Sequence, residues 1–177
     1  YICRTYLPKV NSMMTVCKGI ADEYTQNYSI SCKVLTNSPF YQSLDCSQSL
    51  DSSIRLIHHG SLNRSRKLEN MVYLMEHLDP RFTLDFMLIP NDLMYLKELK
   101  ELSKSNNRIV FRDPVSMPDI SASINSYDMG IFLLSPKSFN YRMALPNKLF
   151  EFIQGRLGVA TWPSPEMARI VNNFKCG

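Results

Sequence analysis

Apolar and polar positions alternate in blocks along most of this chain, and the blocks predict strands and helices in turn. After residue 53 we predict five apolar strands, at Ile54–His58, Phe82–Ile89, Arg108–Phe111, Met129–Leu134 and Leu157–Thr161. Each is followed by apolar residues spaced three or four positions apart, which is typical of an amphipathic helix. The central strands are apolar throughout, which indicates burial on both faces. The pattern therefore predicts an α/β fold with a doubly wound, Rossmann-like parallel sheet.

The predicted helices in this region begin at recognisable capping residues or prolines. The first covers roughly Arg64–Leu78, and the second starts at Asn91 as its N-cap and continues to Leu102. The remaining three cover Pro118–Ile124, Pro146–Gln154 and Pro165–Asn173, each with proline in the first turn. A long loop is predicted from Ser135 to Leu145. Because ligands bind at the carboxyl ends of strands in such sheets, the loops after the strands are the first places to look for chemistry.

The first fifty residues follow a different pattern. Apolar positions from Met13 to Tyr24 recur at helical spacing, and Asn11 or Ser12 can cap that helix. A short strand is predicted at Ser31–Leu35. Residues 42–53 are polar, rich in serine and without periodicity, so we predict a linker there.

Composition fits a globular domain and excludes several other classes. The 177 residues are 45% hydrophobic and 20% charged, unlike a disordered tail, a disulfide miniprotein or a coiled-coil rod. The formal net charge of +4 is too small and scattered to indicate nucleic acid, and a bound anion explains it equally well. The five cysteines are an odd number and form no C-x-x-C pair. We therefore predict reduced thiols in a cytoplasmic protein, with neither disulfides nor a zinc site.

The loop after the first predicted strand has the composition of a phosphate site. Gly60 and Ser61 leave the strand, and Arg64, Arg66 and Lys67 surround the start of the next helix. A glycine lets a ligand approach the backbone, and a helix start with cations attracts phosphate. A solvated basic helix start is the alternative interpretation. The motif is neither G-x-G-x-x-G nor a P-loop.

A second candidate site lies at the start of the helix predicted from Pro146. Asn147 and Lys148 combine free backbone amides with an ammonium group, and Glu151 follows one turn later. The carboxylate either interacts favourably with the helix dipole or accepts hydrogen bonds from two hydroxyls of a ribose. The residues alone leave both interpretations open.

Other candidates for chemistry are weaker. His58 and His59 are adjacent on a strand, so one of them points inward, and we expect neither to be catalytic. The sequence contains no G-x-S-x-G nucleophile motif. It also shows no cluster of metal ligands, so we predict no metal and no cofactor apart from a nucleotide donor.

Taken in this order, the motifs resemble the C-terminal, donor-binding half of GT-B glycosyltransferases of the retaining family 4 kind. The resemblance is carried by G-S-L-N-R-S-R-K-L-E from Gly60, I-V-F-R-D-P-V from Ile109, Y-D-M-G-I from Tyr127 and A-L-P-N-K-L-F-E-F-I from Ala144. The last stretch is similar to a block of polysaccharide and lipopolysaccharide glycosyltransferases. The resemblance covers the chain from about Ile54 onward.

The resemblance implies roles for particular residues in binding a UDP- or GDP-sugar. Gly60 and Ser61, with Arg66 and the neighbouring Lys67, would hold the diphosphate. In the second loop, helix-start amides at Pro146 and Asn147 would join the Lys148 ammonium there. Arg66 and Lys148 would stabilise the leaving diphosphate in the transition state and are the predicted catalytic residues. On this interpretation the basic residues of both loops, Arg64 included, gather around the diphosphate.

The resemblance also assigns the nucleoside and the donor sugar. The backbone from Phe111 to Val115 would clamp the base, and Glu151 would bind the ribose hydroxyls as the second glutamate of the family's paired motif. The first glutamate of that pair is replaced by Met143, so Asn140 and Tyr141 are the candidates for contacting the sugar ring.

Three regions and a set of partners follow from the same resemblance. Residues 1–41 would be the tail of an N-terminal acceptor domain, 42–53 a linker and 54–177 the donor domain, so we expect the chain to be a fragment that binds nucleotide but does not transfer sugar. The acceptor would be a glycan or lipid-linked glycan. We expect a cytoplasmic protein, with peripheral membrane contact of the full-length protein allowed, and no nucleic acid partner.

Two other functions remain open at this stage. A GT-B type epimerase acting on UDP-N-acetylglucosamine has the same fold but needs carboxylates and histidines around its cleft. A non-catalytic α/β interaction module is the alternative outside enzymes, and it gives no reason for cations to gather at two strand ends.

Overall fold

The N-terminal segment forms a small parallel strand pair with two helices. The structure, a computed structural model, describes residues 2–47 and 52–177. This segment contains α1 (Ile2–Tyr6), β1 (Met13–Thr15), α2 (Lys18–Tyr28) and β2 (Cys32–Val34), and β1 pairs with β2. The strand predicted at Ser31–Leu35 is confirmed. The predicted helix start at Asn11 or Ser12 is wrong, because Met13–Thr15 pairs as a strand and α2 begins only after Cys17.

The second part of the chain forms a five-stranded parallel sheet. Its strands are β3 (Ile54–Ser61), β4 (Phe82–Ile89), β5 (Ile109–Arg112), β6 (Met129–Phe132) and β7 (Gly158–Thr161). Their order is β5-β4-β3-β6-β7, and every pair is parallel. The predicted Rossmann-like α/β class is confirmed. The order reverses between β3 and β6, which opens a crevice at their carboxyl ends.

Helices cover both faces of this sheet. They are α3 (Glu69–His77), α4 (Leu93–Leu102), α5 (Ile120–Ile124), α6 (Phe139–Arg142), α7 (Asn147–Gln154) and α8 (Pro165–Phe174). One core cluster joins apolar side chains of α3 and α4 to the sheet, and a second joins α5, α7 and α8 to its other face. Gly130 in β6 lets α7 approach closely, because a Cβ there would lie 2.1 Å from the Phe152 ring.

Several predicted helix boundaries differ from the structure in informative ways. The helix expected from Arg64 starts as a 3-10 turn at Arg64–Arg66, and α3 itself begins at Glu69. Asp92 caps α4 in place of Asn91, since its side chain accepts a hydrogen bond from the Tyr95 amide at 2.9 Å. The loop predicted at 135–145 contains the short helix α6. At α4 and α6 the capping side chains of Asp92 and Ser138 set where the helix begins.

Residues 35–47, here called the connecting segment, lie along the sheet domain. Gln154 Nε2 donates to the Gln42 carbonyl at 2.6 Å, and Arg156 Nε donates to the Leu44 carbonyl at 2.9 Å. Farther along, Asn125 Nδ2 donates to the Asp45 carbonyl at 2.9 Å. Of the predicted linker 42–53, residues 48–51 lie outside the described residues. The domain boundaries stay a prediction, but the described part of the segment is bonded to α5 and α7.

Candidate functional site

Gly60, near the carboxyl end of β3, meets the start of α7 at the crevice. Its φ is +113°, a region that glycine adopts with little strain. A Cβ built on Gly60 would lie 3.4 Å from Lys148 Nζ, and Lys148 supplies the neighbouring atoms within 4 Å. The two loops singled out from the sequence therefore converge. The missing side chain leaves space beside the ammonium group.

Lys148 is held by groups from the ends of two strands. It is only 6% exposed, and its Nζ donates to the His59 carbonyl at 2.6 Å and lies 3.3 Å from His58 Nε2. Nζ also lies 4.6 Å from the centre of the Phe132 ring, at cation–π distance. His58 Nδ1 is 2.8 Å from the Ile131 carbonyl. The tautomer that donates from Nδ1 therefore leaves Nε2 to accept from Lys148.

The positive charge of Lys148 is weakly compensated inside the protein. Burial lowers the pKa of Lys148 to about 7, and the nearby Arg66 guanidinium acts in the same direction. The Glu151 charge only partly offsets these effects on the pKa. Within residues 2–47 and 52–177, neither Lys148 nor Arg66 has a carboxylate at ion-pair distance. An anion beside Gly60 would thus meet two cations without an internal carboxylate partner.

Glu151 lies one turn after Lys148 and packs against His59. The distance from Glu151 Oε2 to His59 Nε2 is 3.5 Å, and His59 Nε2 is a buried nitrogen without a hydrogen-bond partner in the described part of the chain. Burial raises the pKa of Glu151, and it lowers the pKa of His59 to about 3. His59 is therefore neutral near pH 7. The carboxylate of Glu151 keeps its acceptor capacity for donors from outside the protein.

A cavity of about 260 Å³ opens beside Glu151. The connecting segment, the loop after β5 and α7 each line part of it, among them Phe40, Gln42, Met117, Pro118, Asn147 and Glu151. The lining is mainly apolar, with the Glu151 carboxylate as its ionisable group. Such a cavity suits a flat, largely apolar group with hydroxyls at one end.

The basic residues of the β3–α3 loop do not all gather at the crevice, which corrects the expectation from the sequence. Arg64 forms ion pairs with Asp92 and Glu98 of α4, at 3.1 and 2.6 Å. Lys67 Nζ lies 3.5 Å from Glu69 Oε1. These carboxylates draw both side chains towards α3 and α4. Of that loop, Arg66 is the basic residue whose charge acts on Lys148.

The remaining predicted site residues are Ser61, Pro146, Asn147 and Val115, of which Asn147 lines the cavity. Ser61 ends β3. Pro146 precedes α7 and gives it no side-chain cap, which leaves the first amides of the helix, including that of Asn147, to other partners. Val115 lies in the loop after β5 and is 39% exposed, whereas Met117 of that loop lines the cavity.

Helix α6 reaches the same loop from the other side of the crevice. The Tyr141 hydroxyl forms a hydrogen bond with Ser65 Oγ, next to Arg66. Asn140 is exposed. Met143 packs towards α2, since a Cβ on Gly19 would lie 2.7 Å from its Sδ. Tyr141 thereby links α6 to the loop between β3 and α3.

Sequence reasoning missed two parts of the site. It discounted His58 and His59, yet both are buried and both contact Lys148 or Glu151. Two adjacent histidines within an otherwise apolar strand were the available signal. The contribution of the connecting segment had no signal in the sequence, because polar, aperiodic residues give no hint of what they will pack against.

No group of three or more His, Cys, Asp or Glu side chains that could hold a metal ion occurs in the described ranges. None of the helices there is long and apolar enough to cross a membrane. All five cysteines are free thiols.

Comparison with known proteins identifies the fold. No protein-family model and no curated protein matches the sequence. HepE from Anabaena, solved in complex with UDP and glucose, superposes with a TM-score of 0.70 at 14% identity, over 96% of this chain and 49% of that one. The pneumococcal O-GlcNAc transferase GtfA, in complex with UDP and GlcNAc, gives 0.62 at 14% identity, over 93% and 32%.

A third similar structure is the apo form of the lipopolysaccharide outer core galactosyltransferase WaaB. It gives a TM-score of 0.67 at 10% identity, over 95% of this chain and 53% of that one. The chain thus spans about half of these proteins or less. At such identities the likeness establishes the fold: a Rossmann-like parallel α/β fold that this chain shares with HepE, GtfA and WaaB.

Proposed function

We propose that this chain binds the nucleotide-sugar donor of a glycosyltransferase. The observation that carries the proposal is the convergence of Gly60 and Lys148 next to a cavity lined by Asn147 and Glu151 of the same helix, with the Arg66 charge acting on Lys148. The fold likeness supports it, since HepE and GtfA were solved with UDP and a sugar. A nucleotide sugar has the matching parts: a diphosphate, a ribose with two hydroxyls and a flat base.

The cations explain how such a site would favour sugar transfer. When the glycosidic bond to the donor breaks, negative charge grows on the leaving diphosphate. Fixed positive charges aimed at it stabilise the transition state more than the ground state. Lys148 is held in position by His58 and His59, and the open space at Gly60 gives the phosphate access to it. Arg66 adds a second charge.

Glu151 is the proposed ribose ligand. Its carboxylate lines the cavity and accepts no hydrogen bond from the described residues, although burial raises its pKa. Two ribose hydroxyls would supply the missing donors. Such charge-assisted bonds favour the ionised carboxylate and would return its pKa towards the usual range.

The finer parts of the proposal concern the whole enzyme. We propose a retaining transferase of family 4 type, acting in polysaccharide or lipid-linked glycan synthesis, with residues 54–177 as its donor domain. The glycan acceptor would bind to parts beyond the sheet domain, so the chain alone binds nucleotide without transfer. A cytoplasmic location, where nucleotide sugars are made, belongs to the same proposal.

The two alternatives are less well supported. An epimerase needs accessible acid and base groups, but His58 and His59 are only 0% and 2% exposed and hold Lys148 and pack against Glu151. A non-catalytic module gives no reason for a buried lysine that has no carboxylate at ion-pair distance in the described part of the chain. Neither alternative is favoured by a specific observation.

Titration calorimetry with UDP and GDP tests the proposal on the 177-residue chain. We expect binding of at least one of them, weakened about 10- to 100-fold by Glu151→Ala, as for the net loss of one hydrogen bond to a charged group. Arg66→Ala weakens it as well. Glu76→Ala, at an exposed glutamate of α3, is the control and leaves the affinity unchanged. Absence of binding at millimolar nucleotide would refute the proposed function.

A further inference from the structure

We infer that Phe40 of the connecting segment forms one wall of the nucleobase subsite, with the base stacked between its ring and the Met117 side chain. The inference rests on the proposed function, because it concerns the nucleoside part of the same donor. It gives a binding role to a residue that precedes the sheet domain.

The connecting segment is bonded to the sheet domain on both sides of Phe40. Before it, Asn37 Nδ2 donates to Asn147 Oδ1 at 3.0 Å. After it, Gln42 Nε2 donates to the Pro118 carbonyl at 2.8 Å. These bonds hold the backbone of Phe40 across the cavity. Stacking of a ligand on the ring therefore costs little backbone conformational entropy.

Phe40 and Met117 are both largely exposed, and a bound base would cover part of each side chain. Phe40 is 91% exposed and Met117 is 73% exposed, and both line the cavity. Every base has a π face, so aromatic stacking tolerates different bases and contributes roughly 1–3 kcal/mol per base. A methionine thioether packs well on the opposite face because it is flexible and polarizable.

The size and the polar end of the cavity fit a nucleoside. Its volume of about 260 Å³ lies just below the roughly 300–1,000 Å³ of pockets for drug-sized ligands. It can hold a base and ribose while the phosphates remain outside. Glu151 lines the cavity, and Lys148 precedes it by one turn of α7, on the same side of the helix. A nucleoside that extends from Phe40 to Glu151 therefore directs its 5′ end towards Gly60 and Lys148.

The test measures the affinity of the 177-residue chain for three probes: uridine, UDP and inorganic pyrophosphate. We expect Phe40→Ala to lower the affinity for uridine and for UDP about 5- to 150-fold, the range that corresponds to the loss of one base–aromatic stack. Pyrophosphate affinity stays the same, since it does not reach the cavity. In the unmodified chain, we expect nuclear Overhauser contacts between uridine H5 and the Phe40 ring.

Two variants serve as controls. Tyr41→Ala removes the next aromatic residue, which is 77% exposed and does not line the cavity, and it should leave all three affinities unchanged. Phe40→Trp should retain uridine and UDP binding. Thermal unfolding of Phe40→Ala should match that of the unmodified chain, because so exposed a ring contributes little to the core.

Three outcomes would contradict the inference, and each has a different meaning. If the unmodified chain binds UDP and Phe40→Ala binds it equally well, the stacking role is wrong while the proposed function stands. If Phe40→Ala weakens pyrophosphate as much as UDP, Phe40 acts on the structure of the site and not on the base. If the unmodified chain binds neither uridine nor UDP, the inference fails, and the proposed function fails with it unless GDP binds.

Discussion

Two pairs of basic residues in this protein resemble each other in sequence but differ in their surroundings. Arg64 and Lys67 are half exposed and contact carboxylates of α3 and α4. In contrast, Lys148 is buried, and the positive charge of Arg66 helps to lower its pKa. Neither Lys148 nor Arg66 has a carboxylate at ion-pair distance in the described residues. The comparison teaches that a count of cations in a loop says little about anion binding. What matters is whether the folded chain already supplies their counter-charge.

The largest expected effect comes from removing the buried ammonium group. Lys148→Met keeps the length and apolar contacts of the side chain, and it should weaken UDP binding by about 30- to 1,000-fold, as for the loss of one preorganised donor at a charged group. Calorimetry measures the affinity. The control, Lys104→Met, alters a surface lysine paired with Glu101 and leaves the affinity unchanged. Equal binding by Lys148→Met would mean that Lys148 only fills space.

The pH dependence of stability sharpens the comparison, because burial lowers the pKa of Lys148 to about 7. Between about pH 7 and 10.5 the unfolded chain holds a proton on Lys148 that the folded chain has released. Unfolding then takes up a proton, so the free energy of unfolding rises with pH in this window; below about pH 7 both states are protonated and the contribution is flat. Urea unfolding of the unmodified chain and Lys148→Met measures the difference. Parallel pH profiles would contradict the lowered pKa.

Nucleotide binding should show the opposite trend with pH. A bound diphosphate favours the charged ammonium and raises the pKa of Lys148, so binding takes up protons and weakens as the pH rises through about 7. Calorimetry in buffers with different ionisation enthalpies measures this uptake directly. The uptake should vanish in Lys148→Met. An uptake that persists there would come from another group and would contradict the role given to Lys148, because ionisation of Glu151 on binding would release protons.

The smallest expected effect is on the exposed pair. Arg64→Ala removes the ion pairs to Asp92 and Glu98, and we expect slightly lower stability and no change in UDP affinity, because solvent-exposed ion pairs contribute little. Arg66→Ala, measured beside it, weakens UDP binding. If Arg64→Ala weakened UDP binding as strongly as Arg66→Ala, the contrast between the two pairs would be wrong.

The sheet and the position of the site were predictable for different reasons. The five strands follow from apolar runs bounded by proline, glycine and polar residues, and the parallel order follows from the intervening helices. The convergence of Gly60 with Lys148 was implied by that topology, since both follow neighbouring strands. The strand β1 was missed because Met13–Thr15 also fits a helical apolar face. Its pairing with β2 is a contact between distant residues that local spacing does not encode.

The sequence by itself determined the fold class and singled out the two loops for which we propose phosphate binding, because these depend on local periodicity and on residue types at strand ends. The tertiary structure decided which cations are available and which segment closes the cavity. Arg64 and Lys67 meet carboxylates on α3 and α4, Lys148 is enclosed by His58, His59 and Phe132, and Phe40 is brought to Glu151 from more than a hundred positions away. Charge compensation and burial depend on neighbours in space, and only folding creates those neighbours.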